Sequence, residues 1–463
     1  MSKKVFVLFP DGIGLRNFAL TDFKEEGERQ GIDVWYWNNT NFSIKERLGY
    51  NEVVIEDQTT HKFTPIYSRV RKRAELNVWT KKFADSVYQM YKFPFNIKGA
   101  NNKIKTALIR TLIGLNSSER GVEYIREKIK EYERSTTKYQ YCKKQLEEHK
   151  PAVVMSTSQR ATQAIAPLLA AKDLGIPTVT FIYSWDNVPK AMLVVETDYY
   201  YVWSDHMKGE LLQYYPFIKE EQIVVTGTPQ FGPHFDESLV IPREVFFEKH
   251  GLDTEKRYIC FSGDDETTSP LDQYYLEDLA KSVRSLNDDG YNLGIIYRKC
   301  PVDFTDRYKK VLDTYSDVVV NIEPIWEQIG KNWNEIAPSK EDFGMLVNVC
   351  KHTELVTNVC SSTVFDFVAH DKPCIYYNYE QPQLKEGIRD IGQNYHYVHF
   401  RSMPSEDAVV WALNKEELKD KVKALIDNKV NPVPVTKDWF RIIVGDTPTK
   451  ACENIWRSIK SII

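Results

Sequence analysis

Short apolar runs that stop at a turn and give way to a helical pattern recur along this chain. Few architectures other than a parallel sheet covered by helices accommodate that rhythm. In the first half the runs are Lys4-Val5-Phe6-Val7-Leu8-Phe9, ending at the turn Pro10-Asp11-Gly12-Ile13-Gly14, then Asp33-Val34-Trp35-Tyr36-Trp37, then stretches at 151–155, 178–182, 199–203 and 223–226. Helical patterns at 158–174 and 204–215 lie between them. Strands joined by helices of that length are right-handed crossovers, which make parallel pairs. The rhythm restarts with runs at 258–262, 293–297, 318–321, 354–357 and 374–378. A chain of 463 residues also exceeds what one core usually holds. The expectation is therefore α/β, with two Rossmann-like doubly wound domains facing each other across a cleft. The first spans 1–235, with a charged helical insertion at about 96–145; the second spans 236–440; and 441–463 is a C-terminal helix crossing back to the first. The stretch Thr226-Gly227-Thr228-Pro229-Gln230-Phe231-Gly232-Pro233 reads as the start of the linker.

A formal charge of -4 argues against nucleic-acid binding by the protein as a whole, because a phosphate-tracking surface makes its domain basic. The apolar run Val5 to Phe9 is too short for a signal-peptide core, and no stretch approaches the ~18 apolar residues of a membrane span. The seven cysteines are widely spaced, form no CxxC pair and read as reduced thiols. A cytoplasmic protein is expected.

In open α/β sheets ligands bind beyond the carboxyl ends of strands, so the loops there carry the chemistry. Asp11, in the turn after the first strand, reads either as a general base or as the cap of that turn. Ser184-Trp185-Asp186-Asn187 suits a hydroxyl-rich ligand, with a ring for stacking and Asp186 as a second candidate base. It equally suits a turn held by local hydrogen bonds, with Trp185 filling the core. Ser262-Gly263-Asp264 opens the second domain. The glycine and hydroxyl suit a phosphate, whereas the acids that follow favour ribose or sugar hydroxyls, or helix capping. Ser361-Ser362-Thr363 starts a helix after a strand. Three hydroxyls at a helix N-terminus can cradle a diphosphate without metal or lysine, and a plain cap needs only one.

The stretch from His352 to Tyr377, with Ser361-Ser362-Thr363, Phe365-Asp366 and Asp371-Lys372-Pro373 in order, resembles the C-terminal signature of GT-B transferases. The group is that of the teichoic-acid glycerophosphotransferases, capsule Kdo transferases and bacterial polysialyltransferases. Ser184 to Asn187 and the Thr-Gly of Thr226-Gly227 with Phe231 are similar to a surface-polysaccharide glycosyltransferase group. The resemblance implies that Ser361, Ser362 and Thr363 hold donor phosphates. Those relatives carry His-Pro after the second strand of the donor domain, where this chain has Arg298-Lys299-Cys300-Pro301. Arg298 and Lys299 are then the cations available to a phosphate.

Residues 66–110 contain eleven Lys or Arg against Glu75 and Asp85, with Trp79, Tyr88, Tyr91, Phe93 and Phe95 interleaved. Such a stretch suits peripheral contact with an anionic membrane, or is a solvated face balanced by acids elsewhere. The combined expectation is a metal-independent glycosyltransferase with no cofactor, moving a sugar from a nucleotide-sugar donor to a glycan or lipid-linked acceptor at the inner face of a membrane. Two alternatives remain, a non-hydrolysing sugar-nucleotide 2-epimerase and a nucleotide-binding non-catalytic relative.

Overall fold

The computed structural model describes residues 2–95, 97–330, 335–384 and 390–463. Two parallel sheets organise them. The first contains β1 (Lys3–Phe9), β2 (Ile32–Asn38), β3 (Glu52–Val54), β4 (Val153–Ser156), β5 (Thr178–Phe181), β6 (Tyr199–Val202) and β7 (Ile223–Val225), in the order β3-β2-β1-β4-β5-β6-β7. The second contains β8 (Arg257–Ser262), β9 (Leu293–Arg298) and β10 (Val319–Asn321). After the short strands β11 (Trp326–Gln328) and β12 (Ile336–Pro338) come β13 (Thr353–Asn358), β14 (Cys374–Tyr377) and β15 (Val410–Ala412). The second sheet runs β10-β9-β8-β13-β14-β15. Both sheets are doubly wound, and strand order reverses between β1 and β4 in one and between β8 and β13 in the other. Those two reversals are where ligand crevices form in such folds.

The central strands read as continuous apolar runs because both faces are covered. Val5 to Phe9 are fully buried, and Val5 aligns with Val34 on one side and Val153 on the other. Phe6, Leu8, Trp37, Val154 and Ile165 belong to the first core, and Ile259, Phe261, Leu279, Ile295, Leu355 and Ile375 to the second. Burying each such side chain contributes about 1.5–3 kcal/mol.

Internal contacts divide the chain into two compact units, Met1–Gln230 with Gln328–Ala337 and Ile443–Ile463, and Phe231–Glu327 with Pro338–Ile442. The return of Gln328–Ala337 to the first unit has no counterpart in the sequence reading. The C-terminal helix, Ala451–Ile462, packs on the helix Phe23–Arg29 of that unit. The Trp456 ring packs against Phe23, tilted by 32° with centroids 4.6 Å apart, and its Nε1 donates to the Phe23 carbonyl at 2.6 Å. A Cβ on Gly27 would lie 2.7 Å from the Trp456 ring, so only glycine allows this approach.

The tract expected as an insertion forms three helices, Ala100–Asn116, Glu119–Arg134 and Thr137–His149, all in the first unit; its starting residue, Asn96, lies outside the described residues. A fourth helix, Thr64–Lys82, carries much of the basic stretch. Here the aromatic reading needs correction: Trp79, Tyr88 and Tyr91 are buried core residues, and Phe93 is the strongly exposed ring. No described helix is long and apolar enough to cross a membrane.

Candidate functional site

In the second unit the loops after β8 and β13 meet at the reversal of strand order. Thr363 Oγ1 lies 3.4 Å from Ser262 Oγ, so two of the hydroxyl loops picked out in the sequence are neighbours. The second loop is held in place from three sides. Ser361 N–H donates to Asn358 Oδ1 at 2.8 Å, Tyr376 O–H donates to the Ser361 carbonyl at 2.8 Å, and Cys360 N–H donates to Tyr395 Oη at 3.1 Å. Cys360 itself adopts a left-handed backbone (φ 48°), uncommon for a residue with a Cβ. The chain then enters the helix Thr363–Val368 with Ser362 in the cap position, exposed and without a side-chain cap hydrogen bond. Ser361 Oγ accepts from Thr363 N–H only at a long 3.4 Å. The hydroxyl of Ser362 is thus not engaged in capping its helix.

Gly263 is a packing residue: a Cβ there would lie 3.1 Å from both the Tyr297 ring and the Tyr308 hydroxyl. Burial first, then the carboxylates of Asp265 and Asp272, push Asp264 well above its ordinary range. A carboxyl raised in this way holds its charge less readily than an ordinary aspartate and so opposes a nearby phosphate less. The carboxylate of Asp265 is held by Thr267 and Thr268.

Arg298, at the end of β9, does not offer the uncommitted cation expected of it. It is 8% exposed and its Nη2 donates to both oxygens of Asp342, at 2.8 and 2.9 Å. Asp342 also accepts from Ile325 N–H at 2.8 Å and Trp326 Nε1 at 2.6 Å. Burial alone would raise the Asp342 carboxyl, but Arg298 and these donors hold it below its ordinary value. Arg298 Nη1 is buried and donates to nothing among the described residues. Lys299 Nζ donates to the Thr305 carbonyl at 2.9 Å.

In the first unit Asp11 and Asp186 both act on one side chain. Burial raises the Tyr183 phenol, with the cations of Arg16 and Arg160 opposing and the carboxylates of Asp11 and Asp186 adding to the rise. Asp11 accepts from Ile13 N–H at 3.3 Å and so caps the short helix Gly12–Gly14. Gly14 lies against the loop after β4, where a Cβ would sit 2.4 Å from Thr157 Oγ1. Asp186 accepts from Ser184 Oγ at 2.6 Å, from Asn187 Nδ2 at 2.7 Å and from Lys190 Nζ. Trp185 is buried, so the exposed stacking ring expected in this loop is absent and the core-filling alternative describes it.

Two buried groups escaped the sequence reading. Glu210, on the helix Asp205–Tyr214, is pushed up to about 8 by burial and by Asp186, and its Oε2 has no partner among the described residues. In the second unit His234 Nε2 is 2.8 Å from Asp366 Oδ1, and its Nδ1 is 3.0 Å from His370 Nε2. Burial and His234 lower His370 to about 4. Asp366 of the signature therefore anchors His234; a histidine nine residues before the helix Arg243–His250 carries no spacing signal that reveals this. Among the described residues no group of three or more His, Cys, Asp or Glu side chains could hold a metal ion.

No protein-family model matches this chain, and no curated protein matches it. Solved structures do. S. aureus MnaA, in a co-structure with UDP, is 13% identical over 100% of this chain and 98% of that one, with a TM-score of 0.52. The UDP-GlcNAc 2-epimerase of Methanocaldococcus jannaschii is 15% identical over 100% of both chains, with a TM-score of 0.51. A glycosyltransferase from Rickettsia africae is 10% identical over 100% of this chain and 98% of its own, with a TM-score of 0.52. At these identities the likeness is one of fold, the paired Rossmann-like arrangement of GT-B proteins.

Proposed function

We propose that the chain is a metal-independent glycosyltransferase that moves a sugar from a nucleotide-sugar donor to a surface-glycan or lipid-linked acceptor. The observation that carries this reading is the hydroxyl pair Ser262–Thr363 at the reversal of the second sheet, beside the uncapped Ser362 and a loop fixed by Asn358, Tyr376 and Tyr395. A preorganised set of hydroxyls and N–H groups stabilises charge developing on a leaving diphosphate without reorganising during the reaction. Ser361, Ser362 and Thr363 hold the phosphates, Lys299 assists, Arg298 braces the site through its pair with Asp342, and Ser262, Gly263 and Asp264 face the ribose or sugar hydroxyls. Asp11 or Asp186 takes the acceptor hydroxyl's proton. The nucleotide sugar is substrate rather than cofactor.

The neighbours' names support nucleotide-sugar chemistry, MnaA having been seen with UDP and the Rickettsia protein being a glycosyltransferase. They also support a second reading, a sugar-nucleotide 2-epimerase, since the Methanocaldococcus protein is one. For the acceptor side, the exposed side chains Phe93, Ile104, Leu108 and Leu115 lie among exposed Lys98, Lys103 and Lys105. An apolar stripe flanked by cations suits peripheral binding of residues 66–110 and the following helix to an anionic, cytoplasmic membrane face.

The test begins with thermal shifts against UDP, GDP, CMP and CDP, because a ligand of the folded state raises stability with its affinity. The matching nucleotide sugar is then incubated with and without a lipid-linked acceptor. Nucleotide release only with acceptor supports the transferase; a 2-epimer formed without acceptor replaces it by the epimerase. Binding with neither product marks a non-catalytic relative.

A further inference from the structure

The first unit holds a cavity of about 330 Å³ whose lining converges from four segments, the helix Thr64–Lys82, the turn at Tyr91–Phe93, the loop after β4 and the stretch Ala191–Val194. Arg69, Lys72, Arg73, Lys92 and Arg160 line it, and none of its described lining residues is acidic. The nearest acid on the same helix, Glu75, is already occupied: it pairs with Arg71 at 2.7 Å and with Arg126 at 2.7 Å. Arg73 stacks on Phe95, 3.8 Å from the ring centroid, and this fixes its guanidinium in place.

We propose that this cavity binds a phosphoryl anion, a phosphate or diphosphate ester, through Arg69, Lys72, Arg73, Lys92 and Arg160. Arg69, Lys72, Arg73 and Lys92 come together where the lining offers no acid; such cations repel one another, and an anion of matching charge relieves the repulsion. The crowding is visible in the lysines. Burial first, then Lys190, Arg71, Arg160 and Arg73, lower the Lys72 ammonium to about 8, and burial with Arg73 lowers Lys92 to about 8. Guanidinium forks alongside ammonium groups match phosphate oxygens in number and geometry. Phe93 lines the same cavity while being 70% exposed, so an apolar group attached to the phosphate has a surface to lie on. The inference rests on the anion-facing reading of residues 66–110 given above and not on donor binding, whose residues lie in the other unit.

The experiment titrates inorganic pyrophosphate into the full chain by calorimetry at low ionic strength. Lys72→Gln with Arg160→Gln should weaken binding by about tenfold or more, since each charge-assisted contact contributes strongly. Arg69→Gln, at an exposed position, should weaken it several-fold. Combined Ser361→Ala, Ser362→Ala and Thr363→Ala should leave this site's affinity unchanged, which separates it from the donor site. Wild-type affinity in both cavity variants overturns the proposal, as does the absence of pyrophosphate binding by the wild type. Sedimentation with phosphatidylcholine vesicles containing phosphatidylglycerol then identifies the source. Vesicle binding that pyrophosphate displaces, and that Arg69→Gln weakens, assigns the cavity to a lipid headgroup; pyrophosphate binding that vesicles leave untouched assigns it to a soluble phosphoester.

Discussion

Both carboxylate oxygens of Asp342 accept from a single guanidinium nitrogen of Arg298, which leaves the other terminal nitrogen, Nη1, buried and unpartnered among the described residues. The pair fastens the end of β9 to the helix Lys340–His352, and through Asp342 to the backbone at Ile325. Arg298→Ala should therefore destabilise the fold, by about 3–5 kcal/mol, because it strands a buried carboxylate. Urea unfolding measures this. The double variant with Asp342→Ala should lose less than the two single losses added together.

That pair also marks where sequence reading stops. The hydroxyl loops at Ser262 and Ser361–Thr363 were legible because each follows an apolar run, and a doubly wound sheet sends such loops to one edge. Arg298 was legible as a cation at the right edge, but its partner stands 44 residues away on a helix, and no local pattern joins them. The basic stretch misled in the same way. The helix Thr64–Lys82 buries residues around much of its circumference, including Val70, Arg71, Ala74, Glu75, Leu76 and Trp79, so no one-sided apolar stripe announces it. Its cations divide between a buried pair with Glu75 and a cavity assembled from four segments, a division that only tertiary contacts define.

Replacing Ser361, Ser362 and Thr363 together by alanine should abolish UDP binding while leaving the unfolding midpoint nearly unchanged. The loop is held by Asn358, Tyr376 and Tyr395, whose partners in it are backbone groups that survive the substitutions. The missing hydroxyls remove only long contacts, Asn358 Nδ2 to Thr363 Oγ1 at 3.3 Å and two at 3.4 Å, whereas a diphosphate loses its cradle. Calorimetry with UDP checks it, and unchanged affinity would remove these residues from the donor site.

Glu210 sets a pH dependence whose sign is fixed by its burial. Its carboxyl moves from an ordinary 4.5 to about 8 in the folded chain. Between those values the folded state holds a proton that the unfolded chain has released, so this group's contribution favours folding less as pH rises. No penalty exists below about 4.5 and all of it is present above about 8. Glu210→Gln should flatten the fall in stability between about pH 5 and pH 8, by on the order of 3 kcal/mol. Chemical denaturation across that range reads the difference.

The last prediction separates the two candidate bases. Asp186 already accepts from Ser184, Asn187 and Lys190, so its lone pairs are engaged and its charge is balanced beside it. Asp11 caps Ile13 through a longer contact of 3.3 Å, at the reversal of strand order in the first sheet, where a ligand's hydroxyl is expected. Asp11→Asn should lower kcat by about 10² to 10⁴ with donor affinity nearly unchanged, because the asparagine still caps the turn but cannot accept a proton. Asp186→Asn should instead loosen the loop Ser184–Lys190 and raise KM for the acceptor more than it lowers kcat. Steady-state kinetics with a lipid-linked acceptor decides between them. Full turnover by Asp11→Asn, with kcat lost in Asp186→Asn, would transfer the role of base to Asp186 and make Asp11 the cap of its turn.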